Sequence, residues 1–216
     1  MLLRVAYHEA LEAAQTDLGT LGALMIDALK NAVKSVEKRD AVLAARIITG
    51  GDQTTELSRR IEAACIELIW RQQPLANELR RVTGMFEIST DLGRVNHYVV
   101  DIAKHAVRLT DSGVAAPSEI LSDVSAFTQL SLEQAVTAYV SEDIVLARDV
   151  LANDESQEHL YGRSIKALQK ALRGNTDLLV AVTELLFVLT SLQRIEEHAA
   201  SIAWHTEEML AGDTAA

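Results

Sequence analysis

The sequence predicts an all-α protein made of two tandem antiparallel three-helix bundles related by internal duplication, and three observations lead there. The composition is helical: of 216 residues 49% are hydrophobic but only 4% aromatic, with 10 Gly and 2 Pro. A β-sandwich needs more turn residues and more aromatic or β-branched strands. Apolar residues recur at spacings of three and four, the period of a helix that buries one face. Finally, the chain repeats itself. Thr90-Asp91-Leu92-Gly93-Arg94-Val95-Asn96-His97 and its continuation to His105 lie over Thr190-Ser191-Leu192-Gln193-Arg194-Ile195-Glu196-Glu197 and its continuation to His205, at an offset of 100.

From 82 to 105 the identical pairs are Val82/Val182, Thr83/Thr183, Thr90/Thr190, Leu92/Leu192, Arg94/Arg194, Ile102/Ile202, Ala103/Ala203 and His105/His205. Unrelated sequence would give roughly two. A second block agrees: Leu29, Ala32, Val33, Asp40, Leu43 and Ala44 recur as Leu132, Ala135, Val136, Asp143, Leu146 and Ala147, at an offset of 103. Two blocks in the same order, three residues apart in offset, indicate a tandem copy with a small deletion.

Taken in order, residues 3 to 38 carry Leu11, Leu18, Leu21, Met25, Leu29 and Val33 on one stripe and form the first helix. Lys38 and Arg39 suit its carboxyl end, and Asp40 is placed to cap the next helix. That second helix spans 41 to 72, with a bend or short break expected at Gly50-Gly51, since each glycine costs about 1 kcal/mol relative to Ala in a helix interior. Gln73 before Pro74 ends it, and Pro74 suits the first turn of a third helix from Leu75 to about Leu109.

Residues 110 to 117 have loop composition, and Ser118 is a cap for the fourth helix. The boundary between halves therefore falls there, giving units 1–110 and 118–216. The fourth helix runs to about Val140, with Ser141-Glu142-Asp143 as the turn. A fifth runs to about Leu172, and Gly174-Asn175-Thr176-Asp177 leads into a sixth from Leu178 to about Met209. The tail 211–216 is expected to fray.

Charge and motifs narrow the function. The formal net charge is −11, which argues against a broad nucleic-acid-binding face. Cys65 is the single cysteine; it has no intramolecular partner, suits a reducing cytosol, and reads as a small apolar helix residue. Met1-Leu2-Leu3-Arg4 does not open a secretory signal. The most apolar run, Leu178 to Leu189, is about one third shorter than a spanning helix needs and contains Glu184, so it is expected to be core and the protein cytoplasmic.

No glutamate has a histidine three residues later, and there is no Gly-rich phosphate loop, cysteine cluster or serine nucleophile context. An enzyme is not expected, and neither is direct recognition of free phosphate. His97, Asp101 and His105 form a column at four-residue spacing whose imidazoles and carboxylate could serve a borderline metal; the second copy offers Gln193, Glu197, Ser201 and His205. The bland alternative is a solvated polar face. Arg94 and Arg194 are expected to pair with acids on neighbouring helices, and Trp70 and Trp204 to be buried at bundle ends.

The chain resembles the PhoU family, the accessory regulators of bacterial phosphate uptake. The likeness covers nearly the whole length. It rests on Ala6-Tyr7-His8-Glu9, Asp40-Ala41-Val42-Leu43-Ala44 with Ile47-Ile48, Arg71-Gln72-Gln73-Pro74-Leu75-Ala76-Asn77-Glu78-Leu79-Arg80, and the two copies of the repeated motif. The Tyr7-His8-Glu9 opening looks most like actinobacterial members.

The resemblance implies a negative regulator of phosphate-regulon signalling, an adaptor between the cytoplasmic subunits of a phosphate ABC transporter and a sensor histidine kinase. A homodimer is compatible with it, and Arg80, Arg94 and Arg194 are candidates for partner contact or structural pairing. No cofactor is required. In the family each third helix typically reads Leu-Glu-Arg-Ile-Gly-Asp-His-Ala, whose acidic pair holds a metal in some members. Here Gly93 and His97 stand at those positions in the first copy, and Gln193 and Glu197 in the second. His97, Asp101, Gln193 and Glu197 are thus the residues left for a divalent zinc, manganese or iron ion. The alternative function is a diverged metal- or ion-binding protein serving another transporter.

Overall fold

The computed structural model describes residues 2–211, and the side chains of 7–71, 73–153 and 158–211. The elements are α1 (Leu2–Lys38), α2 (Ala41–Gln72), α3 (Asn77–Asp111), a 3-10 turn at Ser118–Leu121, α4 (Ser122–Ser141), α5 (Ile144–Leu151), α6 (Asp154–Gly174), a 3-10 turn at Thr176–Leu178, and α7 (Leu179–Ala211). No strand occurs among them. α1, α2 and α3 make the first three-helix bundle; α4, the α5–α6 pair and α7 make the second. The tail expected to fray lies, beyond Ala211, outside the described residues.

Local chemistry sets most boundaries. Asp40 accepts a hydrogen bond from the Leu43 backbone N–H at 2.9 Å, and its counterpart Asp143 accepts from Val145 and Leu146 at 2.9 and 3.0 Å. Both satisfy otherwise orphaned first-turn donors. Gln73 turns left-handed at φ 47°, its N–H donating to Ile69 O, and ends α2. Pro74 then lies in the connection, because α3 begins at Asn77 rather than Leu75. Ser118 opens a 3-10 turn, and α4 follows only at Ser122.

The expected break at Gly50-Gly51 is absent: α2 runs through both glycines. Gly51 is buried, and a Cβ there would stand 2.7 Å from Val100 Cγ2. Its role is close approach of α2 to α3, sealed by Asn96 Nδ2 donating to Gly51 O at 2.8 Å and to Thr55 Oγ1 at 3.1 Å. The break falls in the second copy, between α5 and α6 at Ala152-Asn153. At the offset of 103 these are the equivalents of Thr49-Gly50. Asn and Asp compete for local backbone hydrogen bonds and favour helix ends over interiors.

The two copies share one core. α3 packs on α7 and α1 on α4, and the buried apolar side chains of both halves form a single cluster. α3 and α7 are antiparallel, since Asp91 meets His198 whereas His105 meets Glu184. With the copies offset by 100, a pseudo-two-fold axis passes near residues 98 and 198. Tyr98 and His198, equivalents of one another, accordingly stack with ring centroids 5.8 Å apart and an interplanar angle of 25°. Buried, intermediate and exposed residues follow the same pattern through 91–110 and 191–210.

By length and composition α7, with its preceding turn, could cross a membrane: Thr176–Ala211 contains an 18-residue window of mean hydropathy 1.7. Shortness of the apolar run is therefore no argument. Packing accounts for the composition, because Leu185, Leu189, Leu192, Ile195, Ala199 and Ile202 on α7 are fully buried in the shared core. Leu179, Val180 and Phe187 within the run expected to be core are instead exposed. Trp70 and Trp204 are also exposed, at 76% and 49%, where burial was expected.

Candidate functional site

The repeated motif faces itself across the α3–α7 seam, and its polar side chains are what distinguish that seam from plain apolar core. Asp91 is buried on α3. Its Oδ1 lies 2.9 Å from His198 Nδ1 and 3.7 Å from an Arg94 guanidinium nitrogen, and its Oδ2 lies 3.9 Å from His205 Nε2. Further along the seam, His105 Nδ1 lies 2.5 Å from Glu184 Oε2, with Arg108 3.8 Å from the same carboxylate. His105 also stacks on Phe187, with centroids 5.1 Å apart. A buried carboxylate is tolerated only when paired and hydrogen-bonded, and each half supplies the histidine that the other half's acid needs.

The pairing is not symmetric. Ser191 stands where the first copy has Asp91, and Gly84 where the second has Glu184. Gly84 packs directly beneath Met209, leaving no room there for a side chain without displacing it. Asp91, His198 and Glu184 were not singled out as site residues from the sequence. Their signal lies in the offset itself: once α3 and α7 are known to be antiparallel neighbours, residue 91 must face the region near 198.

The four metal candidates are distributed differently from a single site. On α3, exposed His97 has Nε2 3.5 Å from Asp101 Oδ2, while Asp101 Oδ1 accepts from Lys104 Nζ at 2.8 Å. His105 leaves that column for Glu184 on α7. On α7, Glu197 Oε2 accepts from Arg194 at 2.7 Å, and Gln193 is half-buried one turn earlier. Among the described residues no group of three or more His, Cys, Asp or Glu is placed to hold a metal ion.

The arginines correct a further expectation. Arg94 and Arg194 each pair with an acid on their own helix, Asp91 and Glu197, rather than on a neighbouring one. The reason is spacing: both acids sit three residues away on the same face. Arg80 is exposed at the start of α3.

Other buried titratable groups lie elsewhere. Burial pushes the Cys65 thiol up to about 11, with Glu62 adding to the effect. Burial likewise raises the hydroxyls of Tyr139 and Tyr7, whose oxygens have no hydrogen-bond partner within the protein.

Several grooves open along the helices. One of about 290 Å³ lies between α2 and α3, with Arg59, Glu62, Gly93, Arg94 and His97 in its lining. A larger one of about 720 Å³ lies where α1 meets the ends of α4 and α7, lined by Gly19, Thr20, Tyr139, Glu142 and Met209 among others.

Comparison with known proteins agrees with this geometry. The PhoU domain profile matches twice, over residues 18–106 and 121–205, once in each bundle. The phosphate-specific transport system accessory protein PhoU homolog of Caulobacter vibrioides is 27% identical over 199 residues, covering 92% of this chain and 86% of the relative. The crystal structure of PhoU from Pseudomonas aeruginosa superposes with a TM-score of 0.91 at 24% identity, covering 95% of this chain and 99% of that one. The phosphate transport system regulatory protein PhoU from Streptococcus pneumoniae superposes at 0.84 with 20% identity, covering 97% and 98%. Two domain matches that together span most of the chain, one on each side of the seam where the repeated motif meets itself, show that the chain belongs to the PhoU domain family.

Proposed function

We propose that the protein is a non-enzymatic accessory regulator of phosphate transport. It acts in the cytoplasm as an adaptor between a phosphate ABC transporter and a sensor histidine kinase, and holds that kinase in its inhibitory state when phosphate is plentiful. The observation that supports this reading is the PhoU domain match in both halves, together with relatives over nearly full length that are named as accessory or regulatory proteins of phosphate transport. No cofactor is required by it.

The surface suits an adaptor. The first bundle exposes Trp70, Leu75 and Leu79 around the α2–α3 connection, and the second exposes Leu179 and Val180 at the start of α7. At the offset of 103 Trp70 corresponds to Arg173, so the equivalent ends of the two bundles differ in chemistry at that position. Unlike ends allow two partners to be engaged at once, and a change in one partner's conformation then shifts which complex is populated.

Phosphate-regulon reporter activity in phosphate-rich medium tests the reading. Deletion of the gene should derepress the reporter, and complementation should restore repression. An unchanged reporter, with phosphate uptake also unchanged, would overturn it.

A further inference from the structure

The geometry points to the groove between α2 and α3 as a binding site for a small tetrahedral oxyanion, held by Arg59, Arg94 and His97. The chain as a whole carries a formal charge of −11. This groove reverses that balance locally, since its lining contains those three basic side chains and one acid, Glu62, the rest being uncharged.

The basic groups have donors to spare. Arg59 is exposed and makes no salt bridge among the described residues. Arg94 reaches Asp91 only at 3.7 Å, beyond hydrogen-bond range, and Asp91 Oδ1 is already engaged by His198 at 2.9 Å. His97 is exposed and 3.5 Å from Asp101, whose other oxygen is held by Lys104. Glu62 forms no salt bridge with these basic groups among the described residues; its Oε1 accepts from Ser58 Oγ at 3.3 Å and Thr90 Oγ1 at 3.4 Å.

Gly93 keeps the floor of the groove open. A Cβ there would stand 3.0 Å from Ser58 Oγ, so a side chain at this position would crowd the groove lining. Two guanidinium forks with an imidazole match an oxyanion's several acceptor oxygens, the geometry in which arginine outperforms lysine. A volume of about 290 Å³ suits a small anion.

Of the three basic groups the second copy keeps only Arg194. The burial pattern of 61–67 recurs at 164–170, so the offset of 103 holds in α6 and Arg59 corresponds to Gly162. Gln193 replaces Gly93, Glu197 replaces His97, and that glutamate occupies Arg194 at 2.7 Å. One copy of the duplicated unit thus carries the anion site and the other serves as an internal control.

The proposal deepens the phosphate-linked reading, on which the choice of probe rests, and reverses the expectation from sequence that free phosphate is not recognised directly; the charge argument for an oxyanion does not depend on that reading. Inorganic phosphate is titrated into the full chain at neutral pH and low ionic strength by calorimetry, with circular dichroism verifying that each variant folds. Saturable binding should weaken by roughly tenfold in Arg59→Gln, since loss of one charge-assisted hydrogen bond removes about that factor. It should weaken similarly in Arg94→Gln, strengthen in Glu62→Gln, and be unchanged in Arg194→Gln. Sulfate binding with the same variant dependence supports the site as a general oxyanion site. Absence of saturable binding, binding that survives Arg59→Gln with Arg94→Gln, or equal loss in Arg194→Gln overturns it. A reporter response without phosphate binding overturns the site alone, whereas phosphate binding with a silent reporter overturns only the regulatory reading.

Discussion

Asp91 and His198 form a largely buried hydrogen-bonded pair that joins the two copies of the repeat, Oδ1 to Nδ1 at 2.9 Å, with the aspartate only 4% exposed. Each member comes from a different half, so the pair ties the halves together at the place where α3 and α7 cross.

Asp91→Ala should destabilise the protein by about 2–4 kcal/mol, because it leaves His198 without its carboxylate partner in a largely buried setting. A double-mutant cycle with His198→Ala should return a coupling of about 1–3 kcal/mol. Urea unfolding measures both. Additive effects would mean that the pair contributes no interaction of its own.

The adjacent glycines Gly50 and Gly51 should respond in opposite directions to alanine. Nothing lies within 4 Å of a Cβ at Gly50, so Gly50→Ala should stabilise by about 0.5–1 kcal/mol through helix propensity. At Gly51 the added methyl meets β-branched Val100 at 2.7 Å, and overpacking should cost about 1–3 kcal/mol. Thermal unfolding of the two variants decides it: like signs would show that α2 and α3 are not in close contact there.

Cys65 should be inert to alkylating reagents at pH 8, since it is fully buried and its thiol is pushed up to about 11. The sign for stability comes from linkage. The folded state holds this proton more tightly than the unfolded one, so the contribution is fully present below the ordinary thiol range and is lost as pH rises from about 9 through 11. Tyr139 and Tyr7 are shifted the same way and add to the loss. Urea midpoints across that window should fall, and thiol labelling should appear only with unfolding.

Tyr139→Phe should be neutral or slightly stabilising. Its hydroxyl is buried without a hydrogen-bond partner, so removing it removes an unsatisfied group at constant shape, whereas a bonded tyrosine typically loses about 1 kcal/mol. A loss of that size in calorimetry would mean that the hydroxyl is satisfied in solution.

Much of this architecture was legible in the residues. Periodicity marked the long helices, Asp40 marked a cap that is present, and the offsets of 100 and 103 marked the duplication whose copies bury equivalent residues along 91–110 and 191–210. These are local properties: a stripe of apolar side chains or a capping carboxylate acts within a few residues of itself. The tertiary structure decided what depends on which surfaces meet. It placed Gly51 against Val100 and moved the helix break to Ala152-Asn153. It turned His105 from its column to Glu184, and set Asp91 against His198. It also left Trp70 outside. A one-dimensional pattern specifies which face of a helix is apolar, but two apolar faces attract without direction; the pairing of α3 with α7, and every polar contact along that seam, exists only once the chain has closed on itself.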